Sequence, residues 1–144
     1  LFVDTPAGAS DSSIEFAAAC DKVIIVLVGE PTSFMDAYAF IKALSIEKNI
    51  DSVSIVVNMA NDAADALNSY KSFQKIFLKF LSIDLKFVGW LPQSKAISNS
   101  IVARKPFVLN KKANSNLALR IADIIKKVKE AGTIKSNSIK FFDK

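Results

Sequence analysis

The sequence predicts a three-layer α/β fold on a mostly parallel sheet, and two observations carry that expectation. Four short segments, Leu1–Val3, Lys22–Val28, Ser52–Val57 and Leu85–Leu91, are apolar almost throughout, as strands are when both faces of a parallel sheet are covered. The longer stretches between them repeat apolar residues at helical spacing. At 144 residues and 51% hydrophobic, the chain is long enough for one such domain with a real core and too short for two ordinary ones. The order β-α-β-α-β-α-β-α implies right-handed crossovers, with ligands beyond the carboxyl ends of the strands.

The first segment reads Leu1-Phe2-Val3-Asp4-Thr5-Pro6-Ala7-Gly8, a strand that ends in an acid followed at once by a turn. An aspartate at a strand end can hold Mg²⁺ through water, and a glycine four residues on lets its backbone N–H approach a terminal phosphate. An ordinary strand-to-helix turn with an Asx-type cap fits the same residues. After the second strand, Glu30-Pro31-Thr32-Ser33 opens a helix. Pro31 suits the first helical position, Thr32 or Ser33 can cap, and Asp36 in the first turn complements the helix dipole.

That helix puts Phe34, Ala37, Tyr38, Ile41 and Leu44 on one stripe, and the next puts Leu67, Tyr70, Phe73, Phe77 and Phe80 on another. A third stripe is Leu117, Ile121, Ile124, Ile125 and Val128. All three read as core-facing. The remaining strand ends are Asn58-Met59-Ala60 and Pro92-Gln93-Ser94. The expected domain covers residues 1–130, and residues 131–144 read as a small, polar linker followed by the short tail Ile139-Lys140-Phe141-Phe142-Asp143-Lys144.

Composition removes several classes of chemistry. With no histidine and Cys20 as its one cysteine, the chain has no internal disulfide, no Cys/His zinc cluster, and no Ser-His or Cys-His dyad. No run approaches the ~20 apolar residues of a membrane-spanning helix, and no charged leader with a cleavage pattern opens the sequence, so a cytosolic protein is expected. The net charge of +5 owes much to Arg104, Lys105, Lys111, Lys112, Arg120, Lys126, Lys127, Lys129, Lys135 and Lys140. Such an excess attracts nucleic acid or anionic membrane, and a solvated helix face accounts for it as well.

The string VDTPAG, then DKVIIVLVGEPTSFMDAYAFIKAL, VVNMA, FVGWLPQSKAI and KPFVL, resembles the MinD/ParA-like deviant Walker ATPases, and within them the flagellar-number regulators of the FlhG/FleN kind. The resemblance runs from Leu1 to about Ala122, and its most specific part is EPTS followed by DAYA. It implies a P-loop NTPase of MinD-like fold, of which this chain is the C-terminal portion beginning at switch II. By the same resemblance, Asp4 is the switch II aspartate that touches Mg²⁺ through water and Gly8 meets the γ-phosphate. Asn58 hydrogen-bonds the adenine, Pro92 packs backbone against the base, and Glu30 and Asp36 lie near the dimer and partner surface. At Ser94 relatives often carry an acid, a departure at the base or ribose contact. The tail, matched to the family's membrane-targeting helix, offers Ile139, Phe141 and Phe142 as apolar anchors with Lys140 and Lys144 for head groups; a segment this short binds weakly without a second signal.

No G-x-x-x-x-G-K-[ST] occurs in the 144 residues, and the four glycines, Gly8, Gly29, Gly89 and Gly132, form no phosphate cradle. The resemblance therefore implies that the P-loop lies upstream. The cofactors implied are ATP and Mg²⁺; the partners implied are a second copy in an ATP-dependent homodimer, a flagellar regulatory or assembly protein, and a peripheral membrane contact at the inner face of the cell membrane. Two other readings compete. A ParA-like partitioning ATPase would hold nonspecific DNA on Arg104, Lys105, Lys126 and Lys127, and a non-catalytic interaction module would keep the fold without the nucleotide chemistry. An iron-sulfur carrier of the same superfamily would need a CxxC pair that the lone Cys20 does not supply.

Overall fold

The computed structural model describes residues 1–109 and 115–131. The linker and tail after Ala131, with the proposed anchors Ile139, Phe141 and Phe142, lie outside the described residues, as do Lys111, Lys112, Lys135 and Lys140. In chain order the elements are α1 (Asp11–Ala18), β1 (Ile24–Val28), α2 (Pro31–Lys48), β2 (Ser52–Ala60), α3 (Ala63–Phe77), β3 (Asp84–Pro92), α4 (Lys95–Val102), a 3₁₀ turn (Phe107–Leu109) and α5 (Ser115–Glu130). The strands form a parallel sheet in the order β1-β2-β3, with Ile25 opposite Ile55 and Val53 opposite Leu85. This is the α/β architecture that the alternation predicts.

Local chemistry sets the helix ends. Pro31 opens α2, where a missing N–H costs nothing, but neither Thr32 nor Ser33 caps it. Glu30 occupies the cap position without a side-chain bond, and Ser33 Oγ instead accepts from the Val28 N–H at 3.0 Å, tying the end of β1 to the start of the helix. Asn49 closes α2 in the left-handed conformation, which asparagine tolerates better than most residues. At α3, Asp62 accepts from the Asp65 N–H at 2.8 Å, and Asp65 accepts in turn from the Asn61 N–H at 2.9 Å, a reciprocal cap.

Alternation along the strands divides the core. Ile25, Leu27, Val53, Ile55 and Val57 face α2 and α3 in the main cluster, together with Ile14, Ala17 and Ala18 of α1. Residues of opposite parity, Val56 and Val88, meet Ile124 and Val128 of α5 in a smaller cluster on the other face. Glycine is required at position 89, where φ is +154° and a Cβ would stand 2.5 Å from Ile124 Cγ1. Helix α5 is further held by the Arg120 guanidinium, 4.1 Å from the centre of the Trp90 ring. At its C-terminus, Lys22 Nζ donates to the Val128 and Lys129 carbonyls and Lys86 Nζ to that of Ala131, each at 2.6 Å. Two cations thus satisfy helix-end carbonyls and oppose the negative end of the dipole.

Three expectations are corrected. Leu1–Val3 is not a strand: the segment is exposed and pairs with nothing in the sheet, because its apolar run is three residues long and no described strand lies beside it. Strand β1 is not covered on both faces. Its burial alternates, and Val26 is 59% exposed, since α5 lies over β2 and β3 and no described helix reaches the β1 side of that face. The α3 stripe is rotated: Ala66, Tyr70, Phe73 and Phe77 are buried, whereas Leu67 and Phe80 are exposed. Phe80 lies beyond the helix end and keeps an edge contact with Tyr38 at 6.2 Å. Ile125 of the α5 stripe is likewise turned outward.

One buried polar group gives the fold a pH signature. Tyr70 donates to the Leu85 carbonyl at 2.6 Å and stacks on Phe87 at 5.0 Å. Burial, with the Asp84 carboxylate as a smaller contribution, raises its pKa above the ordinary value of 10.0. The unfolded chain releases this proton first, so the stabilisation is complete below pH 10.0 and is lost as pH rises from there through the folded pKa. Equilibrium urea unfolding should therefore show stability falling above that pH, with a shallower fall in Tyr70→Phe. At neutral pH the same variant should be about 1 kcal/mol less stable, from the lost hydrogen bond.

Candidate functional site

A cleft of about 530 Å³ runs along the outer side of β1. One wall is the turn Val3–Gly8; the other is formed by Lys22–Val26, by Thr32 and Ser33 in the first turn of α2, and by Asp36, which lies in the second turn and not, as expected, in the first, because the helix begins at Pro31. Asp4, Gly8 and Asp36 thus share one concavity. Gly8 has φ +94° and open space where a Cβ would stand. Glycine is required there by backbone conformation, and the open space leaves room for a ligand oxygen to approach the main chain.

The turn is fastened to α1. Ser10 caps the helix by accepting from the Ser13 N–H at 3.3 Å. Ser13, fully buried, shares a 2.8 Å hydrogen bond with Ser10 Oγ and donates to the Pro6 carbonyl at 3.4 Å. Its hydroxyl therefore ties the middle of the Asp4–Gly8 turn to the helix. No sequence pattern marked Ser13, although the Ser10-x-x-Ser13 spacing at a helix start is the available signal. Lys22 also lines the cleft, but its ammonium is committed to the α5 carbonyls.

Asn58 and Pro92 form a separate group. They stand at the carboxyl ends of β2 and β3, with Pro92 opposite Ala60 and the Gln93 N–H donating to the Ala60 carbonyl at 3.3 Å. Strand β2 extends past the expected end at Val57 to Ala60, with Met59 at φ 58°. In that conformation the Met59 N–H donates to Asn58 Oδ1 at 2.9 Å. Asn58 therefore uses its acceptor locally and has its Nδ2 donor to offer. Ser94 caps α4 by accepting from the Ala96 N–H at 3.2 Å, which gives it a structural task at this edge. The four predicted ligand residues do not all lie at strand ends: Asn58 and Pro92 do, while Asp4 and Gly8 flank β1. Glu30 is exposed at the α2 cap position.

Among the described residues no three carboxylate, cysteine or histidine groups converge as a metal cage. A lone aspartate beside open space suits Mg²⁺, which keeps most of its waters and takes one or two carboxylates plus substrate phosphates. It does not suit a metal held by protein ligands alone.

The three-strand parallel sheet with its flanking helices is an α/β fold that fits a fragment of a P-loop NTPase. No family model matches the sequence. The chain is 34% identical over 101 residues to "Antiactivator FleN" of Pseudomonas aeruginosa, a match that covers 70% of this chain and 36% of the relative. It is 30% identical over 126 residues to "Flagellum site-determining protein YlxH" of Helicobacter pylori, covering 87% of this chain and 42% of the relative. The chain thus corresponds to a segment of the FlhG/FleN-type, MinD/ParA-like flagellar regulators, and it spans about two fifths of the length of the relatives it matches.

Proposed function

We propose that these residues form the switch and base-binding portion of a MinD-like ATPase that regulates flagellar number or placement through an ATP-dependent homodimer. The observation that carries the proposal is the shared cleft, in which a carboxylate and a positive-φ glycine four residues apart face open space on a turn anchored by Ser13. Asp4 would hold Mg²⁺ through water, and the Gly8 backbone N–H would meet the terminal phosphate. Bound Mg²⁺ would neutralise phosphate charge. The remaining phosphate contacts, including a P-loop lysine and a Ser or Thr on the metal, come from residues outside the 144. Asn58 donates to the adenine through Nδ2, and the Pro92 backbone packs against it. Glu30, at the cap position of α2, and Asp36, in its second turn, border the dimer or partner surface.

The names of the relatives support a flagellar regulatory role over a DNA-partitioning one. No helix among the described residues is long and apolar enough to cross a membrane; a cytoplasmic protein with peripheral contact at the inner membrane face, through Ile139, Phe141 and Phe142, completes the proposal. Titration of the P-loop-containing protein with a fluorescent adenine nucleotide tests the base contact. Asn58→Ala should weaken binding about tenfold, the cost of about one hydrogen bond and its unsatisfied partner, and should narrow the preference for adenine over guanine. Unchanged affinity and unchanged preference would remove Asn58 from the site.

A further inference from the structure

The segment from α4 to the 3₁₀ turn is largely exposed. Helix α4 has no buried residue, and its packing is chiefly onto the 3₁₀ turn that follows. Large aliphatic side chains project from both: Ile101 is 71% exposed, Val102 85% and Leu109 76%. Between them lie Arg104 and Lys105, both exposed and neither in an ion pair among the described residues. Arg104 has φ 51°, a left-handed turn that brings the chain round sharply between the two apolar groups. The stretch between Asp84 and Asp123 carries seven Lys or Arg and no Asp or Glu.

We infer that this knob is a contact site for an anionic lipid surface, separate from the tail. Its shape and charge both argue for that occupant. A protruding knob suits a broad, deformable surface, whereas a peptide partner calls for a groove. Lys95, Arg104 and Lys105 are exposed, with no acid between Asp84 and Asp123 to offset them, and gain from a surface potential that acts on each cation without residue-by-residue pairing. The aliphatic tips would enter the acyl boundary while Arg104 and Lys105 stay among the head groups. Because α4 follows Pro92 directly, such contact would place the candidate base-binding edge of the sheet near the membrane.

Co-sedimentation of the polypeptide translated from the start codon of the same reading frame tests this, using phosphatidylcholine vesicles with and without about one third phosphatidylglycerol. Binding is expected to the anionic vesicles only. It should weaken about thirtyfold in the double variant Arg104→Gln/Lys105→Gln, from about 1 kcal/mol per cation, and at least tenfold in Ile101→Ser/Val102→Ser. All four side chains are exposed, so both variants should keep the parent's circular dichroism and unfolding midpoint. Phe141→Ser/Phe142→Ser separates the tail from the knob: if that variant alone abolishes binding and the knob variants bind as the parent does, the inference is wrong. Equal binding to neutral vesicles would overturn it too. So would capture by DNA or by an acidic protein without any binding to anionic vesicles.

Discussion

Phe73→Ala should destabilise the protein by about 3–5 kcal/mol, a large share of the about 5–15 kcal/mol that holds an ordinary domain folded. Phe73 is fully buried, and its ring lies 5.6 Å from Phe34 and 5.7 Å from Phe77. It therefore joins α3 to α2 within the one large cluster. Truncation removes the transfer free energy of a whole ring and leaves a cavity whose lining, two other aromatic side chains and fully buried aliphatics, cannot collapse without leaving preferred rotamers. Urea unfolding followed by circular dichroism measures the effect. Phe80→Ala, at an exposed ring beyond the same helix, should cost less than about 1 kcal/mol and serves as the matched control.

The contrast between Phe73 and Phe80 also shows how far the sequence reaches. Periodicity located α2, α3 and α5 and put Ile41, Leu44, Phe73 and Phe77 in the core, because a 3.6-residue repeat fixes which side chains share a face. It placed Phe80 on the stripe by extrapolating through a helix that ends at Phe77. Two of the three full strands were extended by a few residues, a boundary set by pairing with neighbours rather than by local composition. Leu1–Val3 and Val26 failed for one shared reason. An apolar run announces that burial is favourable but not what provides it, and neither segment has a described element to cover it.

The candidate residues were legible in the sequence, and their placement was not. Asp4 and Gly8 were visible as an acid and a glycine closing an apolar run, whereas Asn58 and Pro92, at the ends of later runs, took their roles from the family resemblance. That Asp4 and Gly8 flank β1 while Asn58 and Pro92 sit at strand ends depends on tertiary placement. So does the hold of Ser13 on Pro6. The anchoring of α5 by Lys22 and Lys86 joins residues more than forty positions apart, beyond the reach of any local pattern.

Asp4→Ala should have the largest functional effect. In the proposed site its carboxylate is the protein group on this chain that orients water on Mg²⁺, and phosphoryl transfer to water depends almost entirely on such positioning and charge stabilisation. Loss of one preorganised electrostatic contact of this kind lowers turnover by about 10²–10³-fold. The exposure of Asp4 predicts little cost in stability, so an inactive variant should unfold with the parent's midpoint.

The most direct measurement is Mg²⁺-dependent ATP turnover by the polypeptide translated from the start codon of the same reading frame, run beside the 144 residues alone. Turnover is predicted in the longer protein, at least about a hundredfold lower with Asp4→Ala, and none in the 144 residues, which contain no G-x-x-x-x-G-K-[ST]. Turnover by the 144 residues alone, an undiminished Asp4→Ala variant, or a reading frame that supplies no phosphate-binding loop would contradict the divided-site account.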